Sequence, residues 1–248
     1  MRSILRDALC VWIILLRIAH PAQSQENVPR YQFGASLGTY IYMGDLTPNR
    51  LGSYRTLKPA INLFASRIFS PSWSVRANLG IGKLKGDDSK YALPEYRQQR
   101  NFLFTASLIE LSVLGEWSVL GRNDISRGWA PYLFGGLGYG FLRIRPDWSR
   151  LNTEYFGSDV LNGLSADASH RLPRGLPVVP VGLGTRYYFN DRLGLSAEAG
   201  YRLMSTDYLD GFSQSANPTE KDHYGIYSIG AVYRIGKKNR LACPVLRY

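Results

Sequence analysis

The sequence predicts an all-β fold, a transmembrane antiparallel up-and-down β-barrel of about eight strands, preceded by a cleaved signal peptide. Three observations support this prediction. Apolar and polar residues alternate along several segments, the N-terminus resembles a secretory signal, and the connections alternate between short and long. Because successive side chains of a strand point to opposite faces, alternation gives each strand one apolar and one polar face. A barrel with lipid outside and a polar lumen inside needs both faces.

The clearest predicted hairpin lies between Pro180 and Ser213. Two alternating segments meet there at Asn190 and Asp191, a pair that is typical of a tight turn. One face of each segment is apolar with aromatic residues near its ends, whereas the other face carries glycine, serine and full charges. In a chain with a secretory signal, this combination favours a membrane barrel over a water-soluble sheet.

The same alternation predicts strands along the rest of the chain. The predicted strands are 31–43, 58–69, 73–84, 102–120, 131–144, 180–190, 193–203 and 224–235. The long connections are 44–56, 85–101, 146–176 and 204–223, and the others are short. Bacterial barrels have short periplasmic turns and longer outer loops. We therefore expect a location in the outer membrane, with both termini in the periplasm.

The N-terminal residues 1–24 have the three parts of a signal peptide. Arg2 and Arg6 form a basic start, an apolar run extends from Ala8 to Leu16, and a small-x-small cleavage site ends at Ser24. The apolar run is too short for a membrane-spanning helix. The predicted domains are thus the signal peptide, a barrel at 25–236 and a short periplasmic tail at 237–248.

The net charge of the chain favours some classes of binding partner over others. The chain carries 30 Lys+Arg and 19 Asp+Glu, a net charge of +11, and without the signal peptide the charge is +9. A secreted chain rarely meets nucleic acid, so the basic excess favours contact with outer-membrane lipid, lipopolysaccharide or acidic glycans instead. Only Cys243 remains after cleavage, which leaves no intrachain disulfide.

Six charged residues fall on the predicted lumen face of the barrel. An eight-stranded barrel has an interior just wide enough to be filled by side chains. An unpaired buried charge costs several kcal/mol, so these groups must pair. The sequence therefore predicts a salt-bridged plug, with a proton or solute path as the alternative. The predicted lumen network consists of Arg76, Glu110, Glu116, Arg186, Glu198 and Arg202.

No cofactor or metal site is predicted. The glycine runs at 136–140 and 182–184 lie within strands and precede no helix, so they lack the context of a phosphate-binding loop. Five aspartates lie near loop edges and have oxygen ligands suited to calcium, but no EF-hand spacing is present. These aspartates are Asp45, Asp87, Asp88, Asp207 and Asp210.

A lipid hydrolase remains an alternative to a non-enzymatic barrel. After signal cleavage the only histidines are His170 and His223, both in predicted loops, and Ser213 and Ser215 lie close to His223 in sequence. Hydrolysis by such groups needs a rigid Ser/His or Asp/His arrangement. No motif holds these residues on a strand, so we predict that the protein is not an enzyme.

Four motifs occur in one order along the chain. They are Tyr42–Leu46, Arg100–Ser112, Pro131–Gly136 and Thr206–Asp210. Together they resemble the PorG-like outer-membrane β-barrel proteins of the Bacteroidetes group (DUF6089 type), from about Phe33 to Tyr233. The resemblance implies a role in type IX secretion, in which PorG-like proteins associate with a periplasmic ring built of a lipoprotein and its partner.

The resemblance also marks residues at the bases of the outer loops. Carried over to this sequence, Asp45, Asp207 and Asp210 either cap strand ends or pair with Arg202, whereas contact with the ring is expected at the turn Arg122–Arg127 and at the tail. A structural or adhesive barrel resembling OmpA or OmpX, a lipid-A-modifying enzyme and a small-solute channel are the alternatives. The marked residues are Tyr42, Gly44, Asp45, Leu46, Asp207, Tyr208 and Asp210.

Overall fold

The computed structural model describes residues 31–49, 52–217 and 221–236; the predicted signal peptide and tail lie outside the described residues. The described residues form eight strands, joined on one side by long loops and on the other by short turns. The strands are β1 (Tyr31–Met43), β2 (Lys58–Ile68), β3 (Trp73–Asp87), β4 (Leu103–Ser118), β5 (Gly128–Asp147), β6 (Gly175–Tyr188), β7 (Leu193–Leu203) and β8 (His223–Ile235).

The strands close into one antiparallel barrel in chain order. The closing pair joins β1 to β8, with Tyr31 opposite Ile235 and Met43 opposite His223. Each strand thus has two hydrogen-bonded neighbours and the sheet has no free edge, which is the condition for a sheet in lipid. The predicted fold class is confirmed.

The outside of the barrel is apolar along every strand. Large aliphatic side chains at alternate positions are exposed, including Leu37, Ile61, Ile81, Val113, Leu137, Leu183, Leu195 and Ile229. Aromatic rings pack together at the short-turn end, where Trp73 stacks on Trp117 with centroids 6.5 Å apart and Trp129 lies 4.9 Å from Tyr187. Aromatic girdles of this kind mark the boundary of the hydrocarbon core.

The height of the apolar surface matches a bilayer. Along β4 the outward positions run from Trp117 to the polar Ser107, a rise of about 25 Å for a strand tilted by about 40°. An exposed apolar surface that encircles a closed barrel at this height is a lipid-facing surface, so the protein spans a membrane.

Several strands extend further into the loop side than the alternation predicts. β3 ends at Asp87 rather than Leu84, and β5 ends at Asp147 rather than Ile144; at the short-turn end, β5 also begins at Gly128 rather than Pro131. β6 begins at Gly175, ahead of Pro177 and Pro180, and its pairing with β5 is interrupted beside Pro180. Above the lipid, strands still pair through the backbone, but their outward side chains no longer need to be apolar.

The long loops contain two helices that the sequence pattern does not predict. α1 (Tyr96–Arg100) lies between β3 and β4, and α2 (Ser158–Ser169) lies between β5 and β6. Within the described residues, no helix has both the length and the apolar character needed to cross a membrane.

Candidate functional site

The structure divides the six predicted lumen charges into two groups. The group nearer the short turns contains Arg76, Glu116, Arg186 and Glu198. Glu116 lies 3.0 Å from Arg76 and 2.6 Å from Arg186, and Arg76 also pairs with Glu198. Two carboxylates and two guanidinium groups therefore balance each other, in an interior where an unpaired charge would be costly.

Aromatic rings complete this lower group. The Arg186 guanidinium lies 4.0 Å from the ring centre of Tyr132, and Arg76 lies 5.1 Å from the ring centres of Phe64 and Phe134. The Tyr132 hydroxyl donates to Glu198. The flat guanidinium groups are thus paired at their edges and covered on their faces, which fills the lumen at this level.

The group nearer the loops is built on Glu110. Its carboxylate accepts hydrogen bonds from Arg202 at 3.2 Å, from the Tyr224 hydroxyl at 2.7 Å and from Ser112 at 3.0 Å. Glu110 is fully buried. The ion partner of Arg202 in this group is Glu110.

Sequence reasoning missed three lumen side chains. Tyr132 and Tyr224 supply the hydroxyls to the two groups, and Arg234 donates to the carbonyl of Ile125 at 2.6 Å and lies over the Tyr188 ring. Arg234 shares the parity of the other inward residues of β8, so its position in the alternation was an available signal.

Above the lumen, the long loops fold together into a buried cap, and Asp88 is one of its centres. The fully buried Asp88 carboxylate forms ion pairs with Arg97 at 3.0 Å and with Arg100 at 2.7 Å. The same two arginines donate to the backbone carbonyls of Thr47 and Asp45 at 3.0 and 3.2 Å. α1 therefore ties the first loop to the second.

Tyr42 is the second centre of the cap. Its hydroxyl lies 2.7 Å from an oxygen of Asp210 and 2.5 Å from an oxygen of Asp222. A phenol has one proton and can donate to only one carboxylate. The second short contact therefore needs a proton on a carboxyl group. Burial raises the pKa of both Asp210 and Asp222 well above their usual range, as this arrangement requires.

The neighbours of Tyr42 in the first motif are fitted to this centre. A Cβ atom on Gly44 would collide with the Asp222 carboxylate and the Tyr42 hydroxyl, so a larger residue there would displace the two hydrogen-bonded groups. Leu46 is fully buried in the hydrophobic cluster beneath the cap. Asp45 accepts a hydrogen bond from the backbone N–H of Asn217 at 2.8 Å.

Two residues of the last motif lie beside this centre. Burial raises the pKa of Asp207 to about 6, and the nearby Asp45 and Asp167 carboxylates add to the effect. Tyr208 stacks on His170 with ring centroids 4.0 Å apart, and its hydroxyl points at Asp167. The structure thus brings the marked motif residues into one region of the loop side.

The groups considered for hydrolysis are engaged elsewhere. Ser215 donates to Asp167 at 2.6 Å, and Nδ1 of His223 accepts the backbone N–H of Met204 at 3.2 Å. In the described part of the chain, no hydrogen bond joins Ser213 or Ser215 to either histidine. Nor do the described residues contain a group of three or more His, Cys, Asp or Glu placed to hold a metal ion.

The predicted contact turn at the opposite end is held firmly against the barrel. The backbone N–H of Asn123 donates to the carbonyl of Pro71 at 3.0 Å, and the Ile125 carbonyl accepts from Arg234. Arg122 and Arg127, in contrast, are exposed. The turn therefore has two exposed cationic side chains on a backbone that is held by hydrogen bonds.

A comparison with models of protein families finds one that matches most of the chain. The family model described as domain of unknown function (DUF6089) matches residues 7–234. No curated protein matches the sequence.

The chain is also similar to solved structures. Ail, the attachment invasion locus protein of Yersinia pestis, is 11% identical with a TM-score of 0.44, over 84% of this chain and 99% of that one. Neisserial surface protein A is 14% identical with a TM-score of 0.46, over 83% and 97%. The N-terminal β-barrel domain of Pseudomonas aeruginosa OprF is 7% identical with a TM-score of 0.45, over 84% and 99%.

Proposed function

Because the chain belongs to the DUF6089 family, we propose that it is a non-enzymatic outer-membrane β-barrel that serves as an accessory or anchor of a type IX secretion system. Both termini would lie in the periplasm, and the long loops would lie outside the cell. Its partners would be outer-membrane lipid, lipopolysaccharide and proteins of the periplasmic secretion ring. No cofactor enters this proposal.

One observation carries the anchor role: the six charged side chains of the lumen form ion pairs, and aromatic rings pack around them. Glu116 and Glu110 each hold an arginine across the lumen, and Tyr42 closes the cap above them. An interior filled in this way offers rigidity rather than a path, which suits a barrel that holds other proteins at the membrane.

The short-turn end supplies the surface for such a partner. Arg122 and Arg127 are exposed on a turn whose backbone is fixed, and this end would face the periplasm. A rigid cationic turn suits an acidic surface of a ring protein, because a fixed backbone loses little entropy on binding. The predicted tail 237–248 would add to this contact.

A pull-down from detergent-solubilised outer membrane tests the proposal. An epitope tag within 153–155 leaves the cap intact, since Thr153, Glu154 and Tyr155 are exposed, whereas the loop between β3 and β4 contains the buried Asp88 centre. We expect the wild-type protein to recover periplasmic ring components. A double variant Arg122→Gln/Arg127→Gln that also lacks 237–248 should lose them.

The matched control removes two exposed cations from the loop side, Arg150→Gln/Arg171→Gln, and should recover the ring as the wild type does. Equal recovery by the turn variant would count against the contact surface. Recovery of lipopolysaccharide alone by the wild type would count against the secretion role.

A structural or adhesive barrel is the second candidate, and one feature of the loops favours it. Tyr54, Leu93 and Tyr155 are large apolar side chains that are exposed by 74, 71 and 56% on the loop side. Side chains of this type, presented above a rigid cap, suit contact with an external surface. Loss of surface adhesion by cells in which these residues are replaced by serine would support this candidate.

A further inference from the structure

A cluster of basic side chains lies directly above the apolar belt on one side of the barrel. On β3, Lys83 and Lys85 follow Ile81 on the outward face, and on β5, Arg143 and Arg145 follow Phe141. The cross-strand register aligns them: Lys83 and Arg143 flank Ser107 of β4, and Lys85 and Arg145 flank Thr105. Adjacent strands are about 4.8 Å apart, so four cations surround two hydroxyl groups on a small surface.

These cations are largely uncompensated. Lys85 pairs with Asp87 at 2.8 Å, but no carboxylate of the described residues forms an ion pair with Lys83, Arg143 or Arg145, all of which are exposed. The Asp147 carboxylate near Arg145 is engaged by the backbone N–H of Ser149 at 3.0 Å. Three outward cations at the edge of the lipid therefore have no carboxylate partner among the residues that the structure describes.

The cluster is confined to this side of the barrel. The exposed outward residues near the loop ends of β2, β6 and β7 are Pro59, Pro177 and Leu203, and the corresponding residues of β1 and β8, Ile41 and Gly225, are buried. A general preference for the membrane surface would distribute basic residues around the whole rim. Concentration on β3–β5 indicates a particular ligand.

The apolar surface beneath the cluster is grooved. A furrow of about 770 Å³ runs over β2–β5. Its floor is formed by the small side chains of Ala65 and Ala77, which face each other across β2 and β3, and its walls include Leu79, Leu111, Leu137 and Tyr139. The outward side chains of β3–β5 form rows across the three strands. The top row of the furrow contains Leu79, Leu111 and Tyr139. One row of apolar side chains, formed by Ile81, Ile109 and Phe141, separates it from the row of Lys83 and Arg143.

We propose that the outer face of β3–β5 is a binding site for a phosphorylated anionic lipid of the leaflet on the loop side. The lipid phosphate would lie among Lys83, Arg143 and Arg145, with the Ser107 and Thr105 hydroxyls as further donors. One acyl chain would lie in the furrow over Ala77. Arginine and lysine at this height avoid the cost of a charge in the hydrocarbon core and gain from the anionic headgroup. This site rests on the outer-membrane location and the lipid partner of the proposed function, but not on the secretion role.

Native mass spectrometry of the full-length mature protein in detergent, with lipid A as the probe, tests the site. We expect the wild-type protein to retain lipid A and to bind neutral phosphatidylcholine much more weakly. The variant Lys83→Gln/Arg143→Gln/Arg145→Gln should bind lipid A about tenfold more weakly or worse, because each lost cation removes part of the headgroup attraction. Ala77→Trp fills the furrow and should also weaken lipid A binding.

A control variant removes three exposed cations at the other end of the barrel, Arg67→Gln/Arg127→Gln/Arg192→Gln, and should retain lipid A as the wild type does. Heat-dependent mobility in gels shows that each variant has formed its barrel. An equal loss in the control would overturn the proposal, as would unchanged binding by the loop-side variant. Displacement of lipid A by millimolar inorganic phosphate, or equal binding of phosphatidylcholine, would also overturn it.

Discussion

At the scale of single residues, Tyr42 shows how one hydroxyl organises a region. It bridges Asp210 and Asp222, which lie 168 and 180 positions away in sequence. The carboxylates extend the bridge to the backbone, since Asp210 accepts from Phe212 at 2.8 Å and Asp222 accepts from Leu209 at 3.0 Å. A short polar chain thus holds the last loop to the end of β1.

The variant Tyr42→Phe removes this bridge and leaves two buried carboxyl groups without their shared partner. A buried polar group that loses its hydrogen bond costs about 1–3 kcal/mol, so we expect a decrease of that size in the free energy of unfolding. Urea unfolding of the protein in lipid vesicles measures it. Tyr139→Phe, on the lipid-facing surface, should change little. Equal stability of the Tyr42 variant and the wild type would show that the bridge contributes nothing.

Asp207 gives the cap a dependence on pH. Its pKa is about 6 in the folded protein, above the value of about 3.9 for an unfolded chain. Between these values the Asp207 carboxyl binds more protons in the folded state than in the unfolded state, so its contribution to stability falls as pH rises through this window and does not change further above it. Asp207→Asn should flatten this part of the stability profile in urea unfolding at different pH values. The exposed Asp124→Asn should leave the slope unchanged, and a slope in the Asp207 variant as steep as that of the wild type would contradict the assignment, because Asp210 and Asp222 still contribute the remainder.

At the scale of elements, α1 acts as a clamp between loops. Asp88 holds Arg97 and Arg100, and these arginines hold the carbonyls of Thr47 and Asp45. The stacked rings of Phe102 and Phe212, 4.3 Å apart, add the loop before β8 to the same assembly. The cap is therefore stabilised by contacts between loops rather than within them.

Removal of the Asp88 charge should open the clamp. In Asp88→Asn, two buried guanidinium groups lose their anion, and breaking a buried pair in this way costs about 3–5 kcal/mol. We expect trypsin to cleave after Arg97 and Arg100, which are protected in the wild type by burial. In the control variant Glu95→Gln, which changes an exposed residue of the same loop, the bonds after Arg97 and Arg100 should remain protected from trypsin. Cleavage after the exposed Arg150 serves as an internal reference. Continued protection at Arg100 in the Asp88 variant would contradict a clamp.

The membrane-spanning parts of the strands could be predicted from sequence because lipid and lumen impose opposite demands on alternate residues. The parity of Arg76 or Glu116 therefore gives its face directly. The position of a residue in the alternation does not identify its ion-pair partner, because Arg76 pairs with Glu198 across the barrel, 122 positions away in sequence. The cap has no periodic pattern at all, and α2 is rich in small and polar residues with a weak apolar face. Its contacts follow from tertiary packing, which a single sequence does not display.

At the scale of the whole molecule, the barrel and the loop cap differ in what their side chains contact. The barrel between the aromatic girdle and the basic cluster is matched to lipid on the outside and to paired charges on the inside. The loop cap closes the mouth with its own buried polar centres. A structure filled at both levels is suited to hold a position in the membrane, and in the proposed role the exposed Arg122 and Arg127 would contact the partner.

The claim that the barrel is a sealed anchor rather than a pore is tested most directly by conductance in planar bilayers. The purified mature protein is inserted, with insertion verified by heat-dependent gel mobility of the same preparation. The paired lumen of Glu116, Arg186 and Arg76 predicts a baseline without discrete opening steps across the applied voltages. Reproducible single-channel steps from the wild-type protein, absent from a mock preparation, would contradict the account.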